Sequence, residues 1–222
     1  MPLKLKTAPT IEPISLAEQK LHSKVDFSDD DALISAYITA ARQHIEDITG
    51  VRMITQTWQL MLDRFPGYCF FPGEYHEFQG RHSHDSRAKQ HQNARQITIP
   101  IAPVINVSSV SYYDDTGAAA TFGADNFIVD TVSIPARIAL KHGKYWPQIE
   151  LQSSNGVVIE FVAGYGPAVT DVPEPLRAAI RLLAAHFYKN REAVVIGAGS
   201  LTVQELPMGV EQLISSYHMW QR

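Results

Sequence analysis

At 222 residues, 45% of them hydrophobic, the chain can bury a substantial core as one large domain or two small ones, and its net charge of −4 comes with no basic run or stripe of the kind that binds nucleic acid. A single cysteine, Cys69, excludes an internal disulfide and a cysteine-rich zinc site. The opening MPLKLKTAPTIEP lacks the apolar centre of a signal peptide, and no stretch approaches the roughly 18 apolar residues of a membrane span. A soluble, cytoplasmic product with no membrane partner is expected.

Pro2, Pro9 and Pro13 forbid a helix over residues 1–13, which are expected as an extended arm that orders only against something else. Ser15 and Glu18 have capping-box spacing, and Leu16, Ala17, Leu21 and Val25 follow at helical steps, so a short first helix is expected there. Ser28 is expected to cap a second helix whose opening Asp29, Asp30 and Asp31 place negative charge at the positive end of the dipole; a metal cluster is the other use of three adjacent carboxylates. Leu33, Ile34, Tyr37, Ile38, Ala41, Ile45 and Ile48 form the buried face of that helix, and Gly50 ends it.

Beyond Gly50 the hydrophobic period falls to two. Ile54, Gln56, Trp58, Leu60 and Leu62 share one side of a strand that stops at Phe65-Pro66-Gly67. Further strands are expected at 96–100, 104–113, 119–122, 127–130 and 137–140, with Asp114-Asp115-Thr116-Gly117 as a hairpin turn. Residues 67–95 have no sustained period and interrupt this β region as a long loop, holding His76, His82, His84 and His91. His82 and His84 with Asp85 are the candidate metal ligands, since neutral imidazole binds transition metals near pH 7; a solvated loop accounts for the same composition. Tyr68, Phe70, Phe71 and Tyr75 are expected to pack on the sheet or on a neighbouring subunit.

Val157 to Ala163 alternates as a half-buried strand that Gly164, Gly166 and Pro167 terminate. A long helix starts near Pro173–Pro175, with Leu176, Ala179, Ile180, Leu183, Ala184 and Phe187 on a wide apolar stripe. Ala178, Leu182 and Ala185 form a second, small-residue face suited to an assembly contact. The following AVVIGAGSLTVQELP is apolar and glycine-rich, and either orders on a partner or folds back on the β region. Val194, Val195, Ile196, Leu201 and Val203 in that segment are further interface candidates. Val210, Leu213, Ile214 and Tyr217 mark a short last helix, with Trp220 close behind it as another docking residue.

The expected architecture is α+β. Two N-terminal helices within 1–50 pack with the C-terminal helices of 171–222 as one helical module, and an antiparallel β module occupies 51–170 with the loop at 67–95. The chain contains no G-x-S-x-G, H-E-x-x-H, Walker or G-x-G-x-x-G pattern. Gly164-Tyr165-Gly166 could cradle a phosphate, but Pro167 lacks an amide and the helix starts several residues later, so a structural turn is expected. Cys69 lies between bulky aromatics with no activating partner near it in sequence. No catalytic residue and no cofactor is assigned.

Six phrases in order, LISAYITAARQHIEDITG, ITQTWQLMLDRFP, ITIPIAPVINVSSVSYYDDTGA, VVIEFVAGYG, VPEPLRAAIRLLAAHFYKNREAV and LPMGVEQLISSY, make the chain resemble the head–tail connector (adaptor) proteins of long-tailed phages. The likeness is to the larger subfamily with a β module between its second and third helices, and it spans about Ile14 to Tyr217; the His-rich stretch 76–95 departs from it. The resemblance implies a structural virion protein, assembled in the host cytoplasm, that forms a homo-oligomeric ring beneath the portal in the neck. Its implied partners are other copies of itself, the portal protein and the next neck or tail-completion protein, with DNA only passing through the channel. A stopper or tail-completion protein of the same neck, or a small metal-dependent hydrolase using the His-rich loop, are the alternatives.

Overall fold

The computed structural model describes residues 2–66, 95–191 and 208–219. Its fold is α+β, and the chain divides into two compact units: one of residues 1–7, 57–100 and 104–163, the other of 8–56, 101–103 and 164–222. The expected split at 50/51 and 170/171 therefore shifts. Residues 51–56, 101–103 and 164–170 join the helices, because their main chains bond to one another and to the end of the second helix, while residues 3–7 join the strands.

The first unit is built on two sheets. Strands β1 (Leu3–Thr7), β2 (Gln56–Leu62), β4 (Val104–Tyr113), β5 (Ala119–Thr121) and β8 (Val157–Ala163) form a five-stranded sheet in the order β1-β2-β8-β4-β5. Strands β3 (Gln96–Thr98), β6 (Phe127–Asp130) and β7 (Arg137–Leu140) form a second, in the order β3-β7-β6. The arm expected to stay extended until it met a partner finds one in its own chain: Leu3, Lys4 and Leu5 pair antiparallel with Leu60, Gln59 and Trp58, and Lys6 bridges Glu160 at 2.6 Å. The proline spacing that forbids a helix leaves Leu3–Thr7 proline-free, and an edge strand needs nothing more.

The strict alternation of β8 places Val157, Ile159, Phe161 and Ala163 in the interior together with Leu60, Leu62 and Val110. Beside them lies an aromatic cluster. Phe65 stacks on Trp146 at 5.1 Å and meets Tyr112 edge-on at 5.9 Å, and Phe122 joins Phe65, Trp146 and Phe127. The β4–β5 hairpin turns where expected. Asp114 Oδ1 accepts from the Thr116 and Ala118 amides and from the Thr116 hydroxyl, holding its carboxyl below the usual range, and Gly117 takes φ +84°.

The second unit holds the helices α1 (Leu16–Ser23), α2 (Asp31–Thr49), α3 (Glu174–Lys189) and α4 (Met208–Ile214). The Ser15–Glu18 capping box forms, and Gly50 ends α2 at φ +74°. Ser28 does not cap α2. The N-cap is Asp30, which makes no side-chain cap, because its carboxylate accepts from Tyr188 and Arg191 while Asp31 pairs with Lys20. Ion pairs to α3 and α1 have displaced the local cap. Ile34, Ile38, Ala41 and Ile45 of α2 meet Leu176, Ala179, Ile180, Leu183 and Ala184 of α3 in one core, with Ile14, Met53, Val210 and Ile214.

Three connecting segments close this core through main-chain bonds. Arg52 N donates to Ala102 O, Ala102 N to Gly50 O, Gly164 N to Pro103 O, Tyr165 N to Met53 O and Thr55 N to Gly166 O. One buried carboxylate fixes the first of them: Glu46 Oε1 accepts from the Met53 amide and Gln56 Nε2, both at 2.9 Å, and Oε2 accepts from Arg42 Nη1 at 2.8 Å. Arg52 caps the Glu46 carbonyl at 2.7 Å, and Glu12 accepts from the Arg42 Nε at 2.7 Å. Burial pushes the Glu46 carboxyl above its ordinary range, opposed by Arg42, the Met53 amide, Arg52 and Gln56. At Gly164, with φ +135°, an added Cβ would lie 2.8 Å from the Ile54 carbonyl and the Thr55 nitrogen. Gly164→Ala should therefore cost about 3–5 kcal/mol, from backbone strain plus overlap. Gly117→Ala, in open space, should cost about 1–2 kcal/mol. Equal urea midpoints for the two variants would refute the close approach at Gly164.

Candidate assembly surface

The long helix α3 owes its position to its two ends. Glu174 in its first turn receives Arg177 and Arg181, and Arg177 also reaches Glu18 and the Pro13 carbonyl, so the start of α3 is held to α1. At its other end Tyr188 donates to Asp30 at 2.6 Å, and the Arg191 guanidinium lies 4.9 Å from the Tyr188 ring centre. Tyr188 above all, with Arg191, holds the Asp30 carboxyl below its usual range. The Ser15 amide, and after it Arg177 and Arg181, does the same for Glu18.

Held in this way, α3 buries Leu176, Ala179, Ile180, Leu183 and Ala184. Ala178, Leu182 and Ala185 recur at helical spacing on another face; both alanines are half-buried and Leu182 is 37% exposed. An added Cβ at Gly209 of α4 would meet Leu182 Cδ1 at 3.8 Å, so part of this face is already lined by α4. Ile11, Leu21 and Phe27 are further exposed apolar residues of the same unit. On the β unit, Ile128, Val132 and Ile134 project from β6 and the turn after it, which Asp130 organises. Its carboxylate accepts from the Ser133 hydroxyl, the Val132 and Ser133 amides and Arg137, and is drawn down to about 2, chiefly by Ser133.

Val194, Val195, Ile196, Leu201, Val203 and Trp220, and the candidate metal ligands His82, His84 and Asp85, lie outside the described residues, as do Cys69 and the aromatics at 68–75. Among the described residues no group of three His, Cys, Asp or Glu side chains converges on a metal-sized site, and no helix is long and apolar enough to cross a membrane. The Gly164–Gly166 turn is spent on structure. The Gly164 and Tyr165 amides bond within the unit, and Asp171, whose carboxylate accepts from Ala168 N, fills the space an added Cβ at Gly166 would need. The shifted acids Glu18, Asp30, Asp114, Asp130 and Glu174 each answer to a cap, a turn or an ion pair. Pairs such as Arg42–Glu46 escape period-based expectations, because a buried charge on an apolar stripe looks like an exposed one. The signal that was there is their i, i+4 spacing, each one position after a buried apolar residue, Ala41 and Ile45.

What the chain offers is a helical unit and a β unit whose polar groups hold turns and helix ends. This architecture has relatives among known proteins. Residues 13–100, which carry α1, α2, β2 and β3, match the family model described as "Phage gp6-like head-tail connector protein". Over 98% of its length the chain matches 95% of a chain from the neck of an empty gene transfer agent (GTA) particle computed with C6 symmetry, at 25% identity and a TM-score of 0.73. Chains from the virion of a native GTA particle and from its neck computed with C12 symmetry match over the same shares, at 23% and 24% identity and a TM-score of 0.69 each. No curated protein sequence matches the chain. The head–tail connector resemblance and the α+β fold read from the sequence are both borne out.

Leu183 and Leu182 test which face of α3 is inward. Leu183→Ala, at 2% exposure, should lose about 2–5 kcal/mol, and Leu182→Ala about 1 kcal/mol or less; the reverse order in thermal denaturation would mean the faces are exchanged. Asp130 makes a separate prediction. Its folded pKa lies below its ordinary value, so its contribution is present above about pH 4 and fades as the pH falls toward 2. Asp130→Ala should thus unfold at lower urea than the parent at pH 6, with the gap closing near pH 2, whereas a gap that persists at pH 2 would exclude the linkage.

Proposed function

We propose that this chain is a structural neck protein of a tailed phage, prophage or phage-like particle, a head–tail connector that forms a ring beneath the portal. The observation that carries this is the match along 98% of the chain to a GTA neck chain, together with the connector-family match over residues 13–100. The C6 and C12 symmetries of the matched particle necks support a cyclic assembly, and the chain is then resident in the virion. The role is structural and not enzymatic, a reading supported by the shifted acids among the described residues, which serve caps, turns or ion pairs, Glu46 with its Arg42 partner included. Its partners are further copies of itself, the portal protein and the next neck or tail-completion protein, with DNA passing through the channel.

A closed ring of identical subunits needs two different patches on each subunit, one docking against the other on its neighbour. Ala178, Leu182 and Ala185 of α3 are assigned to one such patch, and the segment holding Val194, Val195, Ile196, Leu201 and Val203, with Trp220, to the contacts made on assembly. In isolation the chain is a monomer or a weak oligomer, because a subunit that closed rings unaided would compete with assembly on the portal. The test is to mix the purified chain with portal assemblies and image the product by electron microscopy. A ring beneath the portal in the parent, lost in Leu182→Arg while the variant's circular dichroism and melting stay near those of the parent, is the expected result. No ring in the parent, or a ring elsewhere on the particle, would overturn the connector assignment, and an intact ring in the variant would remove Leu182 from the interface.

A further inference from the structure

The turn after β7 runs Leu140-Lys141-His142-Gly143-Lys144-Tyr145-Trp146, with three basic side chains and no acidic one. It is a built feature of the β unit. Gly143 at φ +72° lets the chain reverse, and Lys144 N donates to Lys141 O at 3.1 Å. Arg95 Nη2 donates to the Lys141 carbonyl at 3.0 Å and the Lys144 carbonyl at 3.4 Å, which brings a guanidinium to the two lysines of the same turn. Arg95, Leu140, His142, Gly143 and Tyr145 line one open concavity, and Tyr145 is 73% exposed. Among the described residues no carboxylate pairs with Arg95, Lys141 or Lys144. Asp125 stands between Ala124 and Asn126, whose carbonyls accept from Lys141, yet pairs with none of these cations.

On a chain of net charge −4, whose other described arginines mostly meet carboxylates, cations with no carboxylate partner gathered around a concavity with an open aromatic ring are an unusual use of charge. Carboxylate ligands would need only the cations. A DNA duplex uses both, since phosphates meet the guanidinium and ammonium groups and a backbone sugar packs on the ring. We propose that the concavity formed by Arg95, Leu140, His142, Gly143 and Tyr145 is a DNA-backbone contact site, with Lys144 at its rim. The choice of DNA as the source of phosphate rests on the neck assignment. A contact to one or two phosphates per subunit is weak and salt-labile, which suits DNA that passes and must not be held.

The experiment is fluorescence anisotropy of a short labelled duplex titrated with the full-length chain over a series of salt concentrations, repeated with Lys144→Glu and Tyr145→Ala. Both side chains are exposed, and unchanged circular dichroism and melting confirm that the variants fold. Salt-dependent binding is expected, with Lys144→Glu weakening it about tenfold and lowering the slope of log K against log salt by about 1. Tyr145→Ala should weaken binding at every salt concentration with the slope unchanged. Absence of binding by the parent, parental affinity in both variants, or competition by polyglutamate as strong as by unlabelled DNA would overturn the proposal. The portal experiment fails independently, because a chain that rings the portal and ignores DNA loses this site and keeps its neck role.

Discussion

The helical unit depends on the buried Glu46 carboxylate. It sits at the end of α2, 3% exposed, and its oxygens accept from Arg42, the Met53 amide and Gln56, while Arg52 closes on the Glu46 carbonyl. Removing such a group from water costs several kcal/mol unless nearly all its lone pairs are used, and here they are. What this arrangement supplies is direction. A helix end and the strand entry after it are fixed by one side chain, so the segment 50–56 is set at the angle that lets 101–103 and 164–166 bond to it. Gly164 then becomes obligatory, because that lacing brings its Cα against the Ile54 carbonyl.

Much of the remaining polar inventory serves the same purpose. Glu18, Arg177, Glu174 and Arg181 bind the starts of α1 and α3 together, Asp30, Tyr188 and Arg191 bind the start of α2 to the end of α3, and Asp114 and Asp130 each wind a turn. Groups already committed to charged or amide partners are poor acids and bases, since changing their protonation would break the bonds that place them. The chains it resembles come from GTA particles, two of them from the neck.

Two kinds of surface remain after the fold is accounted for. One is apolar and scattered: Leu182 on α3, Leu21 and Phe27 near α1, and Ile128, Val132 and Ile134 around the Asp130 turn. The other is the cationic turn at Lys141–Tyr145, propped by Arg95. Singly exposed apolar residues are normal on a monomer, so it is the helical spacing of Ala178, Leu182 and Ala185 that makes α3 the proposed ring face. The cationic turn stands out by gathering Arg95, Lys141 and Lys144 around one concavity with no carboxylate among them.

Local chemistry was enough to determine the helices, most strands and the punctuation. The capping box at Ser15, the stop at Gly50, the Asp114–Gly117 turn and strands 104–113, 127–130, 137–140 and 157–163 follow from periodicity and turn residues that act within a few positions of themselves. The order of six phrases was likewise legible, and with it the connector resemblance. Tertiary structure alone decided what depends on residues far apart in the chain. Leu3–Thr7 became a strand because β2 offered it an edge. Asp30 left its helix for Tyr188, 158 positions away. Arg42 and Glu46 could sit inside because Glu12, Met53 and Gln56 complete their bonds, and Arg95, just before β3 and bonded to Leu140, could support the turn at 141–145. A periodic pattern records which face is buried, but not which distant group will satisfy a charge once it is there; that is settled only when the chain has folded and the partners have met.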